Sequence, residues 1–207
     1  MVSHIKLIYI CTGRENFTMN VYDFDNTIYD GESCKDMFFY LLKKDLSLLK
    51  LAPVVLYAFA KYKRGKITIE KAIEKYAPKI ENYFQKKSYL LTDTVEFWDR
   101  HMQKIKGFYS VQQRPDDLIL TATPEIFMEE VCKRMGVKNY IGTTVDTDVG
   151  KITRICLREN KIKAFFENYP DGKIESFYTD SPKNDFPLIE IAENAYVVKG
   201  NKIEKIK

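Results

Sequence analysis

Two kinds of hydrophobic pattern alternate along much of this chain. Short continuous apolar runs, typical of buried strands, lie at residues 20–24, 117–120, 174–179 and 195–199. Segments with apolar residues three or four positions apart, typical of helices, lie at residues 125–135, 160–168 and 187–193. Residues 140–155 have the pattern of a hairpin that turns at 148–150. This alternation predicts a parallel α/β sheet with helices on both faces, in which the last apolar run is the last strand.

One long region interrupts the alternation. From residue 34 to 111 the pattern is helical, most clearly at residues 35–44, 68–80 and 94–105. We therefore predict an all-helical insertion at 34–111 after the first strand, and an α/β core formed by 19–33 and 112–207. Residues 1–18 precede a second methionine, Met19, and are predicted to be an N-terminal extension that takes no part in the chemistry.

A helix start signal follows the second apolar run. Thr123 suits the N-cap position and Pro124 the first helical position, and Gly136 comes directly after the last periodic residue. We therefore expect the hydroxyl of Thr123 to cap the helix at 125–135.

Composition narrows the class of protein. The chain has 207 residues, of which 45% are apolar and 30% charged, so it is globular rather than disordered. Its net charge of +4 is too small to indicate nucleic acid as a partner. The four cysteines form no C-x-x-C pair, which argues against a zinc site and predicts reduced, buried thiols in a cytoplasmic protein.

The most hydrophobic stretch is residues 46–60. It contains Lys50 and Pro53 and is shorter than the roughly 18 residues that a membrane-spanning helix needs. We interpret it as a buried helix. Contact with a membrane surface is the alternative, because the basic run 61–66 follows directly.

Paired acidic residues follow two of the predicted strands. Asp23 and Asp25 end the first strand, and Asp180 and Asp185 follow the strand at 174–179. Parallel sheets bind ligands at the carboxyl ends of their strands, so we expect both pairs at one edge. Crowded carboxylates repel one another and need a cation, and their oxygen atoms suit Mg²⁺.

A hydroxyl and a lysine complete the candidate site. Thr121 ends the second strand, where its hydroxyl can donate to a phosphoryl oxygen. Thr123 competes for this role, although an N-cap position explains it more simply. Lys161, near the start of a predicted helix, can neutralise both phosphate and acidic charge. Lys163 and Lys151 are the alternatives for the lysine.

These pieces, in this order, resemble the haloacid dehalogenase superfamily of phosphohydrolases. The specific element is the D-x-D-x-T motif at residues 23–27, and the resemblance covers about residues 19–200. It implies a Rossmann-like core, and the helical insertion resembles the type-1 cap of the phosphoserine-phosphatase-like branch. Ala122, Thr123 and Pro124 stand where phosphoserine phosphatases carry two glycines, which speaks against phosphoserine as the substrate.

The resemblance implies a catalytic role for four residues. Asp23 would be the nucleophile that becomes an aspartyl phosphate. Asp25 would be the general acid for the leaving alcohol and then the base for the attacking water. Thr121 and Lys161 would hold the phosphoryl group.

The resemblance also implies a metal site and a substrate contact. Mg²⁺ would be bound by Asp23, by the main-chain carbonyl of Asp25 and by Asp180. Asp185 would support the metal through water or through the lysine. Glu32 lies nine residues after Asp23, where phosphoserine phosphatases carry a glutamate that faces the substrate.

The leading hypothesis is a Mg²⁺-dependent phosphatase that acts on a small phosphorylated metabolite. One alternative is a lipid phosphate phosphatase at a membrane surface, which would use residues 46–66. Another is a non-catalytic module that binds phosphate. The intact acidic pairs favour an enzyme.

Overall fold

The described residues form one sheet of seven strands. A computed structural model describes residues 18–50, 87–148 and 150–207, with scattered residues between 52 and 81. Its strands are β1 (Thr18–Tyr22), β2 (Leu118–Pro124), β3 (Asn139–Asp146), β4 (Lys151–Arg154), β5 (Lys173–Thr179), β6 (Asn194–Lys199) and β7 (Lys202–Lys205). The helices described over their whole length are α1 (Ser33–Lys44), α2 (Lys87–His101), α3 (Gly107–Gln112), α4 (Glu125–Met135), α5 (Glu159–Asn168) and α6 (Phe186–Ile191).

The strand order places β1 at the centre. The order is β4-β3-β2-β1-β5-β6-β7. The pairs from β3 across to β6 are all parallel, and only the edge strands β4 and β7 are antiparallel to their neighbours. This confirms the predicted parallel α/β sheet, including the hairpin that β3 and β4 form.

Alternating side chains of the sheet build two separate hydrophobic clusters. Tyr22 of β1 packs in one cluster with Trp98 of α2 and residues of α1 and α4. Val21, its neighbour in the chain, packs in the other with Phe165 of α5 and residues of α6. Successive residues of a strand point to opposite faces, so each face of the sheet is covered by its own helices. The predicted helices on both faces are confirmed.

Much of the described chain between β1 and β2 is helical. It contains α1, α2, α3 and two 3-10 turns at Leu46–Lys50 and Met102–Lys104. The indole N–H of Trp98 in α2 donates to the Phe127 carbonyl oxygen of α4 at 3.0 Å, which ties this region to the sheet layer. The helix expected at 68–80 lies mostly outside the described residues, and the division into core and insertion remains a prediction.

The predicted end of β2 and the predicted N-cap of α4 are both wrong. Strand β2 continues through Thr123 to Pro124, which pairs with Thr143 of β3, so Thr123 does not cap α4. Pro124 occupies the N-cap position without a side-chain hydrogen bond. Close approach of β3 makes this extension possible, because a Cβ on Gly142 would collide with the Thr123 carbonyl oxygen. At the other end of α4, Gly136 adopts the left-handed conformation with φ 73°, as predicted.

Strand β6 is not the last strand. It is followed by β7, which pairs with it in antiparallel fashion after a turn that contains Gly200 at φ 58°. All four residues of β7 are exposed, and their sequence KIEK has no apolar run. A mostly polar edge strand has no hydrophobic pattern, so β7 could not be predicted from the sequence.

The cysteine prediction is correct in part. Cys132 and Cys156 are buried free thiols, whereas Cys34 is an exposed residue of α1 whose free thiol points to the Thr123 hydroxyl at 3.6 Å. Residue Cys11 lies outside the described residues, as do residues 1–17 of the expected extension. Thr18, the last residue assigned to that extension, begins β1 and pairs with Lys173.

Candidate active site

The site begins where β1 ends. The Asp23 N–H donates to the Tyr178 carbonyl oxygen at 2.9 Å, which extends the pairing with β5 by one residue. The next side chain, Phe24, is fully buried beside Tyr29 and Trp98. This anchor fixes the backbone between the two acidic residues of the motif. Strand pairing and burial of one aromatic ring therefore position both carboxylates.

The loop after Asp25 folds back on itself. Asn26 has φ 57°, and its N–H donates to the Gly31 carbonyl oxygen at 2.8 Å. Lys106, from the segment before α3, holds this loop twice. Its N–H donates to the Ile28 carbonyl oxygen at 2.8 Å, and its ammonium donates to the Asn26 carbonyl oxygen. The loop is therefore fixed by a part of the chain about 80 residues away.

Lys161 is the lysine that reaches the acidic residues. Its Nζ lies 2.8 Å from Oδ1 of Asp23 and 3.0 Å from Oδ1 of Asp185, and its side chain is 3% exposed. Burial opposes the charged amine, but the two carboxylates outweigh it and raise the pKa of Lys161. Lys163 and Lys151 are exposed. Of the three lysines left open by the sequence, only Lys161 lies in this cluster.

A turn before α5 delivers this lysine. The Lys161 N–H donates to the Arg158 carbonyl oxygen at 2.9 Å. Arg158 has φ 53° and ψ −127°, a conformation that favours glycine and costs about 1–3 kcal/mol for other residues. A strained backbone turn at Arg158 therefore lies directly before Lys161, the candidate phosphate-binding lysine.

The Asp185 carboxylate has two hydrogen-bonding partners. Its Oδ1 accepts from Lys161, and its Oδ2 accepts from the Thr179 hydroxyl at 2.7 Å. The Ser181 N–H donates to that same hydroxyl at 2.9 Å, which orients it. With both oxygens engaged, the carboxylate of Asp185 is placed to position the lysine.

Asp180 lies on the more exposed side of the cluster. Burial and the charge of Asp185 raise the pKa of Asp180, while Lys161 and a hydrogen bond with Asp23 oppose that rise. Burial, then Asp185 and Asp25, likewise raise the pKa of Asp23 against the opposing effect of Lys161. Four carboxylates thus share one lysine, and the cluster has a deficit of positive charge.

Both oxygens of Asp25 accept hydrogen bonds. The Ser33 N–H donates to Oδ1 at 2.8 Å, and the Thr123 hydroxyl donates to Oδ2 at 3.1 Å. Burial raises the pKa of Asp25, and the bonds from Ser33 and Thr123 oppose the rise. Neutral donors therefore hold both oxygens of Asp25, while the charge of Lys161 also opposes the rise of the Asp25 pKa without a direct bond.

Thr121 lies at the same end of the sheet. Tyr22 is paired with Ile119, so the same register places Thr121 of β2 beside Phe24, two residues past the end of β1. Thr121 is buried, and its hydroxyl oxygen accepts the Thr123 N–H at 3.1 Å. That bond uses a lone pair and leaves the hydroxyl hydrogen for donation.

Glu32 stands apart from the cluster. It is exposed and precedes the first residue of α1, at the N-cap position, but its side chain makes no capping hydrogen bond. The geometry thus assigns neither helix capping nor a contact with the acidic residues to its carboxylate.

Two residues that hold the Asp25 loop, Ser33 and Lys106, were not among the predicted site residues, and Thr123 was predicted to cap a helix. Ser33 and Lys106 carry no signal, since serine and lysine are common at helix starts and on surfaces. Thr123 did carry one, but the proline that follows made a helix cap the simpler explanation. Only the extension of β2 through Thr123 separates the two interpretations.

Comparison with known proteins gives one family and a shared fold. A family model for haloacid dehalogenase-like hydrolases matches residues 21–190. The chain is similar to a solved protein of unknown function from Bordetella pertussis Tohama I, with 18% identity, a TM-score of 0.69, and coverage of 87% of this chain and 89% of that one. A comparison with curated proteins gave no match.

Two further solved structures share the fold. One is a phosphoserine phosphohydrolase-like protein from Francisella tularensis subsp. tularensis SCHU S4, with 16% identity, a TM-score of 0.53, and coverage of 87% and 86% of the two chains. The other is a HAD family hydrolase from Salmonella enterica subsp. enterica serovar Typhi, with 12% identity, a TM-score of 0.50, and coverage of 84% and 60%.

Proposed function

Because the chain belongs to the haloacid dehalogenase-like hydrolases, we propose that it is a Mg²⁺-dependent phosphatase that hydrolyses a small phosphomonoester through an aspartyl phosphate. The family match confirms the prediction that was made from the D-x-D-x-T motif. The observation that carries the proposal is the buried Lys161 ammonium between Asp23 and Asp185 at the carboxyl ends of β1 and β5. A fixed cation beside a strand-end carboxylate is suited to bind a phosphoryl group next to its nucleophile.

The side chains divide the chemistry into two steps. An Asp23 oxygen attacks phosphorus and forms a P–O bond, while the P–O bond to the leaving alcohol breaks and that alcohol takes a proton from Asp25. Water then attacks the aspartyl phosphate, gives its proton to Asp25, and releases inorganic phosphate and free Asp23. Lys161 and the Thr121 hydroxyl stabilise the charge on the phosphoryl oxygens in both steps.

The charge deficit of the cluster supports a divalent cation. Asp23 and Asp180 carry raised pKa values because they are buried and close to other carboxylates, and a hard cation relieves this. Their side chains and the Asp25 carbonyl would hold Mg²⁺, which offsets charge on the transferring phosphoryl group when bound. In the described residues, no three His, Cys, Asp or Glu side chains form a ready metal site. The proposed site needs only two carboxylates and one carbonyl from the protein, because Mg²⁺ keeps several water ligands.

Metal removal tests this proposal. Hydrolysis of p-nitrophenyl phosphate is expected to stop in excess EDTA and to return when Mg²⁺ is added, because the carboxylates alone repel the phosphate. Ca²⁺ is expected not to restore turnover, since its larger and looser coordination misplaces the attacking carboxylate. Circular dichroism in EDTA serves as the control for folding. Full activity in EDTA contradicts the metal assignment, and no activity in any metal favours a non-catalytic module.

Glu32 provides a test of substrate class. If the substrate carries an amine, the Glu32 carboxylate can bind it with a charge-assisted hydrogen bond of about 1.5–3 kcal/mol. Glu32→Gln is then expected to raise KM by roughly tenfold to a hundredfold for aminated phosphates, each 1.4 kcal/mol being a factor of ten. Hydrolysis of an aryl phosphate should change little.

The matched control for Glu32→Gln is Glu190→Gln, which removes an exposed charge from α6. Both variants are compared by KM on aminated and non-aminated phosphates. An equal change on every substrate rules out amine recognition by Glu32.

A second candidate function is phosphatase action on lipid phosphates at a membrane surface. Leu46 is 70% exposed and Leu49 52% exposed, with Lys43 and Lys50 nearby in the chain. No helix of the described residues is long and apolar enough to span a membrane. Sedimentation with anionic liposomes separates the two functions. Leu46→Ser with Leu49→Ser should abolish any binding, whereas Val111→Ser, at a site 90% exposed on α3, should not.

A further inference from the structure

A chain of hydrogen bonds ends on Asp25. The Thr123 hydroxyl has one hydrogen, which it donates to Oδ2 of Asp25 at 3.1 Å. Its oxygen then accepts from the Ser33 hydroxyl at 3.0 Å and from the Cys34 thiol at 3.6 Å. Both Ser33 and Thr123 are almost completely buried. When Asp25 is ionised it can only accept, and the direction of each bond in the chain follows from that.

We propose that Thr123 is a positioning residue that holds the Asp25 carboxyl group for proton transfer to the leaving alcohol. This inference rests on the proposed function, in which Asp25 is the general acid. Oδ1 is fixed by the Ser33 N–H and Oδ2 by the Thr123 hydroxyl, so the carboxyl group cannot turn without breaking a bond. Proton transfer depends on such alignment, because the acid must be within hydrogen-bond reach of the leaving oxygen.

The backbone of Thr123 is fixed independently of its hydroxyl. Its N–H donates to Thr121, the following Pro124 pairs with Thr143, and Gly142 packs against its carbonyl oxygen. None of these contacts uses the Thr123 side chain. Loss of the hydroxyl therefore removes the bond to Asp25 without removing what holds β2 in place.

Ser33 links this arrangement to the helical region. It is the first residue of α1, and it contributes its N–H to Asp25 and its hydroxyl to Thr123. The segment after β1, the start of α1 and the end of β2 thus meet at one carboxyl group, and Thr123 lies 98 positions from Asp25 in the chain. Such convergence on a proton donor is expected where its orientation matters to the reaction.

The test uses the dependence on the leaving group. Thr123→Val removes the hydroxyl and keeps the shape, and it is expected to lower kcat/KM for an alkyl phosphate by about tenfold to a hundredfold. For p-nitrophenyl phosphate the loss should stay within about threefold, because a phenolate leaves without needing a proton. Thr123→Ser keeps the hydroxyl and should restore both values. Ser33→Ala retains the N–H bond to Asp25 and should show the same pattern with a smaller loss.

Thr143→Val is the matched control. The Thr143 hydroxyl is also buried at this end of the sheet, and it donates to the Ala122 carbonyl oxygen at 2.7 Å rather than to Asp25. The inference is overturned if Thr123→Val lowers both substrates equally, or if Thr143→Val gives the same selective loss. If the wild-type protein hydrolyses neither phosphate, the proposed function itself fails and the inference falls with it.

Discussion

Asp23→Asn is expected to abolish turnover while the protein stays folded. The amide has nearly the shape of the carboxylate but cannot attack phosphorus, so kcat should fall by at least about 10⁴-fold. The fold should persist because the change removes a buried negative charge that Asp185 and Asp25 already disfavour. In this variant Lys161 still has the Asp185 carboxylate as an ion-pair partner. The measurement is single-turnover hydrolysis of an aryl phosphate, with thermal unfolding to check the fold.

Asp30→Asn is the matched control for this change. Asp30 is an exposed residue of the same loop, and its substitution should leave kcat within about twofold of the wild-type value, as is usual for surface changes. Acid-quenched wild-type protein should carry covalent phosphate that the Asp23→Asn variant lacks. Activity of that variant near the wild-type level would falsify the assignment of the nucleophile.

Lys161→Met is expected to be the most destabilising of the site substitutions. It leaves two buried carboxylates, Asp23 and Asp185, without their cation, which costs about 3–5 kcal/mol of unfolding free energy. Turnover should also be lost, since the phosphoryl group loses its fixed positive charge. Urea unfolding in EDTA measures the stability, and Lys163→Met, at an exposed site on the same helix, should have little effect.

The stability loss from Lys161→Met should depend on pH. Lys161 opposes the rise of the Asp23 pKa, so its removal raises that pKa further above the value of about 3.9 in the unfolded chain. The folded variant then binds more protons than the unfolded chain, and its stability falls as pH increases. Burial already raises the Asp23 pKa to about 7 in the wild-type protein, so the difference between the two proteins should grow above pH 7 and be larger at pH 8.5 than at pH 6. A difference that is constant across this range contradicts an electrostatic role for the lysine.

Much of the fold could be predicted because it depends on local pattern. The apolar run at residues 117–120 predicts a buried strand because helices cover both faces of the sheet, so the side chains on both faces are apolar. Gly136 ends α4 because of its own conformational freedom. The edge strand β7 escaped prediction, since its side chains are exposed and carry no hydrophobic period.

The candidate site divides in a similar way. The sequence alone determined the D-x-D-x-T motif and hence the family and fold class, because adjacent residues at a strand end share a location however the rest folds. Only the tertiary structure selected Lys161 over Lys163 and made Thr123 a partner of Asp25. These contacts join residues 138 and 98 positions apart in the chain. Hydrogen bonds of that kind depend on strand order and on the exact end of β2, which no short stretch of sequence encodes.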